Sequence, residues 1–144
     1  MRKLYISKDT GLDKDKSLIT GDFINFCADH FPILGDFKIY IISNREKHGI
    51  ETTAAYWRGK NIVKVYGKNR ALVDILRSIA HELTHLYQDE NNMLVGQIQD
   101  AGGKIEDEAN AKAGEIIKLF AKSNPDRKKI YEKVFKDQNF LLKS

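Results

Sequence analysis

The chain has 144 residues, 42% of them hydrophobic and 31% charged, and this composition excludes a disordered or fibrous protein. Its 24 basic and 20 acidic residues leave a net charge of +4, which is too small and too dispersed to predict a nucleic-acid-binding protein. Long apolar runs are absent and Cys27 is the single cysteine, so we expect one cytoplasmic, monomeric domain over residues 1–144, with no membrane span, signal peptide or internal disulfide.

The first half of the chain carries strand patterns and one helix pattern. Residues 2–7 predict a short strand, and residues 14–31 predict a helix because their apolar residues recur at helical spacing. β-Branched and aromatic residues predict a strand over 37–43 and two strands within 52–67, joined by a tight turn near Gly59. This half therefore predicts a small sheet backed by one helix.

Helices dominate the second half. We expect Asn69 to cap a helix that runs to about Asp89, and residues 104–123 form a second helical pattern. A polar loop over 91–103 joins the two helices, and a shorter helix over 126–137 is expected after them. Strands first and helices afterwards predict an α+β fold.

The first of these long helices contains "SIAHELTHLYQDE", residues 78–90, with an H-E-x-x-H pattern. His81 and His85 are four residues apart and project about 40° from each other on a helix, so both imidazoles can meet one ion. Glu82 stands beside the first histidine, within reach of water at that ion. Chance produces this pattern in about one of several hundred chains of this length, so its surroundings decide between a metal site and two packed histidines.

The other residues of this helix separate the histidines from its apolar face. The apolar stripe lies roughly 180° from His81 on the helical wheel. It consists of Leu72, Ile75, Leu76, Ile79, Leu83 and Leu86. The histidine side carries Asp74, Arg77, Ser78 and Gln88. We therefore expect His81 and His85 to face polar or open surroundings, which favours a metal site.

A third ligand is expected at the start of the second long helix, where Glu106, Asp107 and Glu108 follow one another. Glu106 falls on the side that must pack inward, and a buried carboxylate is costly without a positive partner. That side also carries Ala109, Ala113, Ile117 and Phe120. Glu108 falls on the opposite side, where a solvated pair with Lys112 is expected. Glu106 is therefore the predicted ligand.

Together these motifs resemble those of the gluzincins, the thermolysin-like zinc peptidases. "HELTH" (81–85) resembles their zinc-binding helix, "EDEAN" (106–110) their downstream glutamate element, and "AAYWRG" (54–59) their edge strand. The match covers about residues 37–122 and is closest in size and order to the single-domain minigluzincins and to small metallopeptidases of tailed bacteriophages. It implies a zincin-like fold in which a small N-terminal twisted mixed sheet with a backing helix precedes an active-site helix and a glutamate helix.

The resemblance also implies a chemistry. One catalytic Zn²⁺ would be held by His81, His85 and Glu106. Glu82 would act as the general base in the hydrolysis of a peptide bond, as in an endopeptidase. Asn110, one turn beyond Glu106, would accept a hydrogen bond from the ring of His81. An ordinary packing amide at Asn110 is the open alternative.

The edge strand would bind the substrate. An extended peptide or protein segment would pair with the backbone at Ala54, Ala55 and Tyr56, and Ala54 stands where many gluzincins have asparagine. No membrane partner is expected, and the protein would work in the cytoplasm, or in a host cytoplasm or virion if a phage encodes it.

Two other interpretations stay open. A catalytically silent zinc-binding or virion-associated structural protein would keep the ligands without the reaction, whereas an intact Glu82 favours chemistry. A nucleic-acid-binding protein would use the basic cluster over 126–136, but it leaves the polar histidine face and the inward Glu106 unexplained.

Overall fold

The structure is a computed structural model that describes residues 1–94 and 103–124. Its elements are β1 (Arg2–Ile6), a short 3₁₀ turn (Lys8–Thr10), α1 (Lys14–His30), β2 (Phe37–Ile42), β3 (Ala54–Trp57), β4 (Ile62–Tyr66), α2 (Leu72–Glu90) and α3 (Lys104–Ser123). The predicted α+β class is confirmed. The helix predicted over 126–137, the basic cluster over 126–136 and most of the loop predicted over 91–103 lie outside the described residues.

The four strands form one mixed sheet in the order β1-β2-β4-β3. β1, β2 and β4 run parallel, and β3 pairs antiparallel with β4 at the edge. The turn between β3 and β4 places Gly59 (φ 82°) and Asn61 (φ 53°) in the left-handed region, which glycine and asparagine adopt most readily. The predicted mixed sheet and hairpin are confirmed, and β3 is left as the strand beside the histidine helix.

Helix α2 occupies the centre of the structure. It contacts α1, α3 and both strands of the β3–β4 hairpin. The six residues of its predicted apolar stripe are each at most 1% exposed. Such burial on one side fixes the rotation of α2 about its own axis and hence the direction of its other side. None of the helices within the described ranges has the length and apolar character needed to cross a membrane.

The predicted start of α2 was wrong. Asn69 adopts a left-handed backbone (φ 58°), and the residue before the first helical turn is Ala71, which offers no side-chain cap. Asparagine tolerates the left-handed region better than other residues with a β-carbon, so Asn69 serves the turn that precedes the helix. A residue type that suits both roles cannot be assigned to one of them from local sequence.

Candidate metal centre

Three predicted ligands meet between α2 and α3. The Nε2 atoms of His81 and His85 lie 3.2 Å apart. Glu106, in the first turn of α3, places Oε2 at 3.1 Å from His81 Nε2 and Oε1 at 2.8 Å from His85 Nε2. His81, His85 and Glu106 thus form a group that could hold a metal ion.

The spacing of these atoms fits the ligand shell of zinc. Ligands about 2.0–2.1 Å from a tetrahedral centre lie about 3.3 Å from one another. The two imidazole nitrogens, 3.2 Å apart, match that value. Each of them meets a different oxygen of Glu106, at 3.1 and 2.8 Å, and with one oxygen from the carboxylate the three ligand atoms all lie within 4.8 Å of one another. Two imidazoles and one carboxylate are also a donor set that zinc accepts, and three protein ligands leave a fourth position for water or substrate.

The hydrogen bonds around His85 set its tautomer. His85 Nδ1 lies 2.8 Å from Gln88 Oε1, and the Gln88 amide nitrogen donates to the Ile105 carbonyl at 3.2 Å and to Glu108 Oε1 at 3.0 Å. Because that amide nitrogen faces two acceptors, Gln88 Oε1 accepts from the Nδ1–H of His85. In the neutral ring Nε2 of His85 then carries the lone pair, and this atom faces Glu106 Oε1 at 2.8 Å. Electron-rich atoms this close repel one another unless a proton or a cation lies among them.

One prediction about this region was wrong. His85 is 4% exposed but faces the polar groups of Gln88 and Glu106, as expected, and Gln88 itself is fully buried. Glu108 bonds to Gln88, and its expected partner Lys112 lies over the Tyr87 ring at 4.6 Å from the centroid. A helical wheel shows which residues share a side of one helix, but not that two polar sides will pack together and satisfy each other's hydrogen bonds. Gln88 follows His85 by three residues, and this spacing was the one feature of the sequence that pointed to a hydrogen bond between them.

His81 keeps a more open position and has the predicted partner. Its side chain is 19% exposed and forms a hydrogen bond with the side chain of Asn110. Burial and the neighbouring His85 hold the pKa of His81 below its ordinary value, and Glu106 and Asn110 oppose that change. A lowered pKa keeps the imidazole neutral near pH 7, which is the form that binds metal ions.

Glu82 is buried beside the ligands. It is 8% exposed, and burial raises the pKa of its carboxyl to about 8, with a smaller contribution from the charge of Glu106. The side chain lines a cavity of about 700 Å³ that also touches His81, His85 and Glu106. A carboxyl that titrates near neutral pH beside such a cavity is suited to proton transfer.

The edge strand β3 forms one wall of the same cavity. Ala54, Ala55 and Tyr56, the predicted substrate-binding residues, all line it. The Tyr56 hydroxyl, however, donates to Asp89 Oδ2 at 2.6 Å near the end of α2, and burial together with Asp89 raises the pKa of Tyr56. The hydroxyl is thereby engaged within the protein, so the ring and backbone of Tyr56 are the parts available to a ligand.

No protein-family model, curated protein or solved structure matches this chain. The gluzincin resemblance, the zincin-like fold and the link to phage metallopeptidases therefore stay predictions. The ligand geometry, the burial of Glu82 and the cavity along β3 are the observations from which a function can be argued.

Proposed function

We propose that this protein is a metal-dependent hydrolase and, more particularly, a zinc peptidase. One observation carries the proposal: the Nε2 atoms of His81 and His85 and the two carboxylate oxygens of Glu106 converge, with separations of 2.8–3.2 Å, in the wall of a cavity, and the carboxyl of Glu82 lines that cavity beside them. Ligands, a proton acceptor and a space for substrate are the minimum that metal-assisted hydrolysis requires.

His81, His85 and Glu106 would hold the ion. When bound, zinc would lower the pKa of water and polarise a carbonyl group, which makes hydrolysis feasible near neutral pH. The protein's own contribution is to keep the imidazole of His81 neutral and to orient both rings. The Gln88 amide orients the ring of His85, and Asn110 bonds to His81.

Glu82 would move the proton. Its carboxylate takes a proton from the attacking water and then delivers that proton to the nitrogen of the departing amine, so the residue ends the cycle as it began. The burial of Glu82 keeps the proton from bulk solvent between the two steps. A pKa raised toward neutrality makes both uptake and release of the proton accessible.

The position of β3 favours a peptide as substrate. Among the described strands, β3 pairs only with β4, so its other edge presents backbone N–H and C=O groups toward the cavity. An extended peptide satisfies such groups by adding a strand. The small side chains at Ala54 and Ala55 allow that backbone to approach closely.

Zinc content and peptide hydrolysis test the proposal together. We expect one zinc per chain in purified protein, retention of zinc in Glu115→Gln, an exposed glutamate of α3, and loss of zinc in Glu106→Gln. A mixed peptide library should be hydrolysed, and a chelator should stop the reaction. Glu82→Gln should keep its zinc and lose about 10²-fold or more of its activity.

The results separate the alternatives. Zinc binding without hydrolysis of any peptide would reject the peptidase and support the silent zinc-binding protein. If the parent protein, with both histidines intact, binds no zinc, the metal centre is rejected altogether. Full activity in Glu82→Gln would remove that residue from the mechanism and leave the metal site in place.

A further inference from the structure

A second, smaller cavity adjoins the candidate metal centre. It has a volume of about 350 Å³ and shares His81, Glu82 and Ala54 with the larger cavity along β3. Its far wall is formed by the segment before α2 and by the first turns of α2, including Arg70 and Ser78. A substrate bound at the metal centre therefore has a side pocket within reach of its next residues.

Arg70 is held in the wall of this pocket by neutral groups. Its guanidinium donates to the Tyr66 carbonyl at 2.7 Å, to the Asp74 carbonyl at 3.1 Å and to Ser78 Oγ at 3.0 Å. These bonds use three of the five N–H donors of an arginine and fix the plane of the group. Carbonyl and hydroxyl acceptors position a guanidinium without cancelling its charge.

The acidic group nearest to Arg70 in sequence is already engaged. The carboxylate of Asp74 bonds to Arg77 at 3.3 Å. Within residues 1–94 and 103–124, no carboxylate lies at ion-pair distance from Arg70, which is half-buried. Burial lowers the pKa of Arg70, and the charge of Asp74, which together with Arg77 lines the same pocket, opposes that change. An arginine remains charged at any physiological pH. The pocket thus holds a fixed, partly desolvated cation, and two of its N–H donors have no acceptor among the described residues.

We propose that the smaller cavity, called the Arg70 pocket below, binds a carboxylate of the substrate, on the C-terminal side of the scissile bond. Ser78, which anchors Arg70, precedes His81 by three residues, or about 4.5 Å along the helix axis. A residue of an extended peptide spans about 3.3 Å, so the carboxylate belongs to the first or second residue after the scissile bond.

The direction of the peptide follows from the edge strand. Antiparallel pairing is slightly more stable per residue than parallel pairing. A peptide antiparallel to β3 would place its C-terminal part at the start of that strand, where Thr53 and Ala54 line the Arg70 pocket. An aspartate or glutamate side chain and the terminal carboxylate of the peptide both supply the required group. This inference rests on the proposed peptidase function for the position of the scissile bond.

Peptide binding to an inactive protein tests the pocket without requiring turnover. Glu82→Gln protein with Zn²⁺ would be titrated with fluorescent peptides that carry a single Glu or Gln at successive positions, so that the test requires no known cleavage site. Each peptide would be made with a free and with an amidated C-terminus, so that the two sources of carboxylate are separated. We expect at least about tenfold tighter binding of the peptides with the carboxylate, from one charge-assisted hydrogen bond.

Substitutions of Arg70 test whether this residue causes the tighter binding of peptides that carry a carboxylate. Adding Arg70→Gln should abolish the preference for the carboxylate, whereas Arg70→Lys should retain part of it and also show that the chain still folds. Arg45→Gln is the matched control, because Arg45 is exposed, lies over the Tyr66 ring and does not line the pocket. Its preference should equal that of the parent.

Three results would overturn the inference: equal binding of peptides with and without either carboxylate, a preference that survives Arg70→Gln, and no binding of any peptide. Hydrolysis of peptides by the parent without a charge preference would reject the pocket and keep the peptidase. An Arg70-dependent preference in a protein that hydrolyses nothing would reject the peptidase and keep the carboxylate pocket.

Discussion

Glu82 makes the stability of the metal-free protein depend on pH. Its carboxyl is 8% exposed, and its pKa is raised from 4.5 to about 8, mainly by burial and then by Glu106. A raised pKa means that the folded chain holds the proton more tightly than the unfolded chain does. Replacing Glu82 with glutamine removes the titration while keeping nearly the same size and shape.

The sign and size of the effect follow from the two pKa values. Below pH 4.5 both states are protonated and the full stability is present. Between pH 4.5 and 8 the unfolded chain releases its proton and the folded chain keeps it, so stability falls by about 1.4 kcal/mol per pH unit. The loss reaches about 5 kcal/mol at pH 8 and is constant above it, which is comparable with the whole stability of a small domain.

Urea unfolding of chelator-treated protein measures this loss. At about pH 4.5 we expect the parent and Glu82→Gln to unfold at similar urea concentrations, and near pH 8.5 the variant should be more stable by about 5 kcal/mol. Glu115→Gln, an exposed glutamate, should follow the parent at every pH. Parallel stability curves for the parent and Glu82→Gln across this range would show that burial does not hold the proton on Glu82.

Three further predictions concern single contacts. Gln88→Leu removes the acceptor of the His85 Nδ1–H and should weaken zinc binding by about 10–100-fold in chelator competition. The His85 ring should then no longer be held in one tautomer, which ¹⁵N NMR would show. Unchanged affinity would contradict the orienting role of Gln88. Tyr56→Phe removes the bond to Asp89 and should cost about 1–3 kcal/mol in urea unfolding, because the acceptor was bonded to a half-buried hydroxyl. Gly67→Ala should cost about 1–3 kcal/mol, because its β-carbon would lie 2.5 Å from Ile41 Cγ2; an unchanged melting temperature would contradict this packing.

The parts of the fold and site that depend on local pattern could be predicted from the sequence. The bounds of α3 follow from helical periodicity, and the group of His81, His85 and Glu106 follows from two spacings plus one rule. That rule is that a carboxylate on an inward helix side needs a positive partner. This rule predicts Glu106 and not Glu108 as the ligand, and it requires no information about the neighbouring helix.

The parts that depend on contacts between distant segments could not be predicted. The position of β4 between β2 and β3 is set by pairing across the sheet, which no single strand encodes. The bond between Gln88 and Glu108 forms only because α2 and α3 pack polar side to polar side. Each residue alone resembles an ordinary solvent-facing side chain, so its burial becomes visible only with its partner in place.

The three ligands come from two helices, so a bound ion would also hold those helices together. A cation held by His81 and His85 from α2 and by Glu106 from α3 would cross-link those helices. Ion affinity and helix docking would then be reciprocal, since each must strengthen the other by the same factor. A substitution far from the cavity that loosens the contact between the helices, for example at the buried Ala113, would lower affinity for the ion without touching a ligand.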